Sequence, residues 1–437
     1  MSLPRYSEYK DSGVEWLGKI PTHWTVSQSR RMFKVRSEPA LADDQMLTAS
    51  QKYGVLLQAD FVLREGRRVV EVIQGKESLK HVEPDDFIIS MRSFQGGIEW
   101  CRLRGSTSFH YVMLIPVKWV CPAFFAHLLK STPYIQALRR TTDLIRDGQE
   151  LRFSNFAQVP LPVVPPDEQE AIATFLDRET AKIDVLIAEQ EKLIALLAEK
   201  RQATISHAVT RGLNPDAPMK DSGVAWLGEV PAHWDVWKVR HAFAGIGSGT
   251  TPPSDEVKWY EDGSIPWVTT GELREEEIYM TSKMVTTEAL QKFSSLRIHP
   301  KGSLAIAMYG ATIGRLGILG VDAATNQACC VLSSPRSLNV KFVFYWLRAY
   351  KQQIIQQFAT GGGQPNINQE IVAALRIPAP ELNEQAEIAA FLNTETARLD
   401  VLEAQAEYSI TLLKERRAAL IAAAVTGQID VRSAAPI

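Results

Sequence analysis

The chain has 437 residues, 45% of them hydrophobic and 22% charged, with a formal net charge of −2. That length exceeds one ordinary core and implies two or three globular domains. No run of eighteen apolar residues suggests a membrane span, and MSLPRYSEYKDSG lacks the basic-then-apolar pattern of a secretory signal, so a cytoplasmic location is expected.

In chain order, the first element is a short segment, residues 1–26, which closes on KDSGVEWLGKIPTHWTV (Lys10 to Val26). Residues 27–164 follow as a variable block. Its runs YGVLLQADFVLRE, RRVVEVIQG, DDFIISMRS, GGIEWCRL and TSFHYVMLIPV read as short β-rich stretches separated by Gly, Pro and Asp. The block then turns helical at PAFFAHLLKSTPYIQALRR. From 165 to 212 the pattern changes. No Pro or Gly occurs between Asp167 and Thr210, and Ile172, Leu176, Ile183, Leu186, Leu193, Leu197 and Ile205 recur at three- and four-residue steps. That spacing predicts one long helix, of roughly 65 Å at 1.5 Å per residue.

The same order then repeats. KDSGVAWLGEVPAHWDV (Lys220 to Val236) matches the first segment at 12 of 17 positions, offset by 210, within a segment spanning 213–236. A second variable block, 237–380, carries SIPWVTTGEL, KGSLAIAMYG, TIGRLGILG and NQACCVLSS, then the helical VKFVFYWLRAYKQQIIQQFA. A second long helix is predicted over 381–427, with Ile388, Leu392, Leu399, Leu402, Ile410, Leu413, Leu420 and Ala424 on its stripe and a tail at 428–437. It matches the first helix at an offset of 216 in EQ, FL, ET-A, DVL, LL and AVT. The chain is therefore a duplicated unit of short segment, α+β block and long helix. A narrow apolar stripe must be covered by another helix. Antiparallel pairing of the two long helices is the expectation, with an approximate two-fold relation between the halves; a dimerisation coiled coil, or each helix lying on its own block, are the alternatives.

Charge follows these divisions. Residues 27–160 carry +5 (19 basic, 14 acidic) and 237–376 carry +3 (14 basic, 11 acidic), whereas 167–211 (6 basic, 9 acidic) and 382–426 (4 basic, 7 acidic) each carry −3. Basic blocks on acidic helices suit a polyanion that meets the blocks and not the helices.

Catalytic signatures are lacking. There is no G-x-x-x-x-G-K-[ST], H-E-x-x-H or G-x-S-x-G, and the Gly-rich GIGSGTTPP runs into prolines instead of a helix. His23 and His233 occupy matched positions before a Trp, which argues for packing more than for a base. The cysteines Cys101, Cys121, Cys329 and Cys330 form no C-x-x-C pair, which points to buried free thiols and away from a zinc site or disulfides. No metal site and no cofactor site is assigned to this chain.

The ordered set resembles the specificity subunit of Type I restriction–modification enzymes. The resemblance rests on the duplicated KDSGVxWLGxxPxHW, on SGTTPP…IPWVTTGEL, KGSLAIAMYGATIGRLGI, NQACC and GGGQPNINQE, and on the junctions LPVVPPDEQEAIATFLD and IPAPELNEQAEIAAFLN. It implies an α+β architecture of two globular target recognition domains, at 27–164 and 237–380, separated by a long antiparallel two-helix coiled-coil spacer with an internal pseudo-two-fold repeat. It also implies a non-catalytic reader of double-stranded DNA. Each domain would read one half of a split, asymmetric site, while the helices set the gap and dock two methyltransferase subunits. Restriction motor–nuclease subunits would join that core, and S-adenosylmethionine, ATP and magnesium would belong to these partners. No membrane partner is implied.

Amide side chains pair with adenine and Arg with guanine, so polar and aromatic residues of the turn regions are the candidate DNA contacts. In the first block they are Ser50, Gln51, Lys52, Tyr53, Arg92, Ser93, Gln95, His110 and Tyr111. In the second they are Ser248, Thr250, Thr251, Thr269, Tyr309, Thr312, Arg315, Gln364, Asn366 and Asn368. Lys52, Arg92 and Arg315 equally suit phosphate contacts, which position without specifying. Two other classes of function compete with this reading: a structural adaptor that binds proteins through two modules, and a stand-alone nuclease, for which no carboxylate–lysine metal site is found.

Overall fold

The computed structural model describes residues 3–66, 78–91, 93–141, 151–360 and 365–432. The chain forms two compact units. The first comprises Met1–Glu191 together with Glu407–Ile437, and the second is the continuous stretch Lys192–Ala406.

Each unit contains one copy of the duplicated peptide, which is a β-hairpin. Tyr9–Asp11 pairs antiparallel with Lys19–Pro21, and Met219–Asp221 pairs with Glu229–Pro231 in the equivalent register. The Asp-Ser-Gly of KDSG makes the turn: Asp11 and Asp221 each accept the N–H of the Gly two residues on, at 2.9 Å, and both glycines sit at φ 70°. The next strand leads into the block. Thr25–Gln28 pairs with Pro160–Val163, and Asp235–Lys238 with Arg376–Ala379, so each block is stitched shut where it enters and leaves.

The first block is built on a four-stranded antiparallel sheet in the order Phe33–Arg36, Val112–Pro116, Phe87–Ile89, Glu99–Trp100. Phe33 stands edge-on to Phe87, Phe125 and Phe156, with centroids 5.5–5.6 Å apart, and all four are fully buried. The second block holds a five-stranded sheet in the order Phe243–Ser248, Cys329–Pro335, Leu304–Ala307, Leu316–Leu319, Glu277–Ile278. Beside it lies a three-stranded sheet with its own small core of Trp259, Trp267, Val285 and Ala289. As the sequence predicts, each block turns helical after its sheet, at Pro122–Leu128 and Thr132–Arg139 in the first and at Val340–Phe358 in the second. One run departs from its β reading. In YGVLLQADFVLRE only Gly54–Leu57 is strand, and Gln58–Glu65 is a helix capped by Gly66. Its Ala, Leu, Arg and Glu are helix formers, and the run is too short for alternation to decide. RRVVEVIQG lies outside the described residues.

The long helices run Pro166–Arg211 and Leu382–Val425, 46 and 44 residues. They pair antiparallel within each unit. In the first, Ile172 and Leu176 share a core with Ile421, Ala424 and Val425, and Arg417 meets Asp184 at 2.9 Å. In the second, Ile205, Ala208 and Val209 share a core with Ile388 and Leu392, and Arg201 bridges Asp400 and Glu403. Gly212 and Gly427 end the helices in the left-handed conformation. The predicted stripe is only partly covered. Leu186, Leu193 and Leu402 are exposed, because two paired helices bury one seam and these leucines stand off it.

Candidate nucleic-acid interface

In the second unit, strand direction gathers the loops. Ser248 lies opposite Cys330, Ala307 opposite Cys329, and Ile306 opposite Leu316. The loops 249–264, 308–315 and 326–328 therefore leave the same end of the five-stranded sheet. Val268 pairs in parallel with Thr325, which brings Thr269 to that end. Residues 366–368 are tied there as well, since Ile367 N donates to Met308 O at 2.7 Å and Tyr309 bridges Asn366. Ser248, Thr250, Thr251, Thr269, Tyr309, Thr312, Arg315, Asn366 and Asn368 thus converge from separate stretches of sequence. Gln364 lies outside the described residues.

Their roles divide. Thr269 is a turn-closing residue: its N–H (2.7 Å) and hydroxyl both go to Glu272. Glu272 also accepts Ser282; burial opposes its charge, but these hydrogen bonds outweigh it and hold its carboxyl below the ordinary range. Asn368 caps the helix Gln369–Ala374 by accepting Ile371 N. Thr251 donates to Gln327, an exposed residue in the turn before Cys329 that the turn-residue reading above passes over. Its signal was the same as that of Asn366 and Asn368: paired amide residues at a turn before a buried element. Arg315 is exposed.

The first unit gathers its candidates around the equivalent end of its sheet, where Arg36, Ile89 and Val112 stand together. The hairpin Leu47–Ser50/Gly54–Leu57 reaches this end, with the Gln51 side chain lying against Gly96. Several candidates here are structural. Ser93 is fully buried and accepts Ser90 N at 2.9 Å. Ser50 accepts the N–H groups of Lys52 and Tyr53. Lys52 pairs with Glu65 and lies over the Tyr53 ring, with Arg64 5.4 Å from that half-buried ring. Gln95 and His110 are exposed, His110 stacking on Phe109 at 3.8 Å, while Tyr111 packs against a small core. Arg92 lies outside the described residues. Beneath the hairpin, buried His81 sits between Asp44 (2.7 Å) and Glu83 (2.8 Å). Burial opposes its protonation, yet the two carboxylates prevail and raise its pKa.

Both blocks meet their long helix through one device. In the first unit Gln169 Oε1 accepts Cys121 N (2.8 Å), and its Nε2 donates to Trp119 O and Val164 O. In the second, Gln385 makes the same three bonds to Asn339 N, Ser337 O and Pro380 O. The preceding glutamate holds the matched histidine, His23 to Glu168 at 2.8 Å and His233 to Glu384 at 2.9 Å. Both histidines are thus fixed at packing junctions. Cys101, Cys329 and Cys330 are buried free thiols, pushed up to about 11, 12 and 12; Cys121 is a free, half-buried thiol. Among the described residues no cluster of three His, Cys, Asp or Glu suits a metal ion, and no helix is long and apolar enough to cross a membrane.

Residues 233–411, which include the whole second block and its junction, match the family model of the Type I restriction modification DNA specificity domain. The chain is 22% identical over 388 residues to the EcoBI specificity subunit of Escherichia coli, covering 84% of this chain and 80% of that one. Residues 233–411 thus carry a Type I restriction modification DNA specificity domain. Two further specificity subunits align over shorter stretches. The EcoR124I/EcoR124II specificity subunit of Escherichia coli is 24% identical over 56% of this chain, and the MjaIX specificity subunit of Methanocaldococcus jannaschii is 29% identical over 38%. The chain spans 58% and 39% of the lengths of these two relatives. The fold is that of the HsdS subunit from Thermoanaerobacter tengcongensis (TM-score 0.58, 14% identity, 94% of this chain and 98% of that one). It is also that of a chain from a structure of type I R-M complex assembly and conformational transition (TM-score 0.66, 15% identity, 93% and 98%).

Proposed function

We propose that this chain is a specificity subunit, a non-catalytic reader of double-stranded DNA in which each unit reads one half of a bipartite, asymmetric site. The observation that carries this reading is the contrast within each unit: the helix junctions are built from the same bonds, while the loop ends of the sheets carry unlike side chains. A shared frame with unlike reading ends gives unlike half-sites. The helices set the gap and dock two methyltransferase subunits; restriction motor–nuclease subunits join them, and S-adenosylmethionine, ATP and magnesium belong to these partners. The complex works in the cytoplasm.

Two features support docking of a partner in two copies. Exposed apolar side chains stand on the helices in each unit: Val185, Leu186, Tyr408 and Leu412 in the first, Leu193, Leu196, Val401 and Leu402 in the second. Each unit also has an equivalent hollow beside the start of its long helix. One, of about 700 Å³, is lined by Trp119, Val120 and Ala173, and the other, of about 640 Å³, by Leu338, Ala386 and Ala389.

The test is methylation. The chain alone is expected to leave DNA unmodified, and with its methyltransferase subunits it is expected to direct adenine methylation to one split sequence, read by sequencing a methylated random library. Methylation by the chain alone, or none directed by the complex, overturns the reading. Matched insertion of one helical turn (~4 residues, ~6 Å) in both helices is expected to lengthen the gap by one or two base pairs. An unchanged gap removes the helices as its ruler.

A further inference from the structure

The turn Asn326–Ala328 is held on three sides. Asn326 N donates to Val268 O at 3.0 Å, Ala328 N to Asn326 Oδ1 at 3.2 Å, and Met308 N to Ala328 O at 2.8 Å. Gln327 projects from this fixed turn into solvent, and the Thr251 hydroxyl donates to its Oε1 from a separate loop. An exposed glutamine ordinarily samples many rotamers, and ordering it on a ligand costs entropy. Here a neighbouring loop has already oriented the amide. One lone pair of Oε1 is taken, which leaves its second lone pair and the Nε2 hydrogens for a ligand. The surrounding polar side chains are committed to the fold: Thr269 and Ser282 to Glu272, Asn326 to its own turn, Asn368 to a helix cap. Among the described residues, Nε2 of Gln327 has no partner.

We infer that Gln327 is a specificity-determining residue of the second unit, reading one adenine in the major groove, with Thr251 as the positioning residue of its amide. The inference rests on the reading that this unit reads a half-site in DNA. A glutamine amide matches the adenine edge, donating to N7 and accepting from the N6 amine. A preformed amide plane favours that bidentate geometry over a single bond to phosphate.

The experiment uses the full chain assembled with its methyltransferase subunits, on a random DNA library and on single sites. Gln327→Ala is expected to lose the preference for adenine at one position of one half-site, by roughly tenfold or more, and to leave every other position unchanged. Thr251→Val is expected to weaken the same position by a smaller factor. Replacing that adenine with 7-deazaadenine is expected to weaken binding by the wild type and not by Gln327→Ala. Thermal unfolding of both variants at the wild-type temperature separates loss of reading from loss of fold. Unchanged base preferences in Gln327→Ala, an equal loss at all positions, or a lost preference for another base each overturn the inference. A wild-type complex with no sequence preference brings down the broader reading, whereas a selective wild type with an unchanged Gln327→Ala brings down this inference alone.

Discussion

The two units solve one packing problem with different donors. Glu168 and Glu384 each give one carboxylate oxygen to the matched histidine. The other oxygen of Glu384 accepts Trp234 Nε1 at 3.0 Å, whereas that of Glu168 accepts the Tyr6 hydroxyl. Trp24 Nε1 is consequently buried without a partner among the described residues. A few residues along, His127 bonds to Asp177 at 2.8 Å in the first unit, and the equivalent position on the second helix, Asn393, accepts Tyr345 OH at 2.7 Å. The backbone frame is kept while its side-chain links change. What the duplication preserves is the position of a satisfied polar group, not the group that satisfies it.

Breaking the shared device should have the largest effect. Gln169→Ala and Gln385→Ala each remove the partner of three backbone groups, one of them buried (Val164 O and Pro380 O), and a loss of about 2 kcal/mol is expected for each in denaturant unfolding. A loss in only one unit would show that the device matters in one place. The tryptophans come next. Trp24→Phe and Trp234→Phe remove similar volume, but only the second leaves a carboxylate oxygen unpaired, so it should cost about 1–2 kcal/mol more. Equal costs would contradict the different bonding of the two rings.

Acid should separate the units further. Burial depresses the His127 pKa despite Asp177, with Arg417 and Arg102 acting in the same direction as burial. The folded state therefore prefers the neutral ring. The penalty begins as pH falls through the unfolded value of 6.5 and is complete below the depressed folded value. His81 acts oppositely, since its raised pKa contributes stability below pH 6.5 that is lost as pH rises through the folded value. In a His81→Asn background, exchanging the first unit's pair for the second unit's (His127→Tyr with Asp177→Asn) should reduce the acid sensitivity of unfolding between pH 7 and 5; an unchanged slope would rule out His127 as its source. The smallest effects concern the helix pairs. Arg201, largely buried and bridging two carboxylates, should cost up to about 1 kcal/mol on truncation to alanine, and the more exposed Arg417 a few tenths.

Much of this was legible in the sequence because duplication repeats its signal. The duplicated short segment, the block-then-helix order and the antiparallel helices follow from offsets and spacing, whereas the hairpin that each short segment forms was not read from them. The EQ dipeptide stood out at both junctions, but its task as a clamp on carbonyls 48–50 residues upstream needs tertiary structure. Spacing likewise assigned Leu186 and Leu193 to a seam, since a helical period marks a face without telling whether a partner covers it. In the reading ends, polar residues at turns served as candidates, yet Ser93, Ser50 and Asn368 are capping and turn residues. Side-chain type alone does not separate a residue that closes a turn from one that faces outward. Gln327 escaped for the converse reason, because its orientation depends on Thr251, 76 residues away.

The first unit is assembled from both ends of the chain. Ile421, Ala424 and Val425 complete the core around Trp24, Gln428 Nε2 donates to Lys19 O at 2.7 Å, and Asp430 N donates to Pro4 O at 2.8 Å. The second unit is one continuous stretch, Lys192–Ala406. During synthesis, the half that begins first therefore finishes last. Its hydrophobic face at Trp24, Ile172 and Leu176 waits for the stretch that starts at Glu407, a delay on the order of 10–40 s at ordinary elongation rates. The ribosome delivers the second unit complete while the first is still open, so the nascent first unit is the stretch most in need of protection from aggregation.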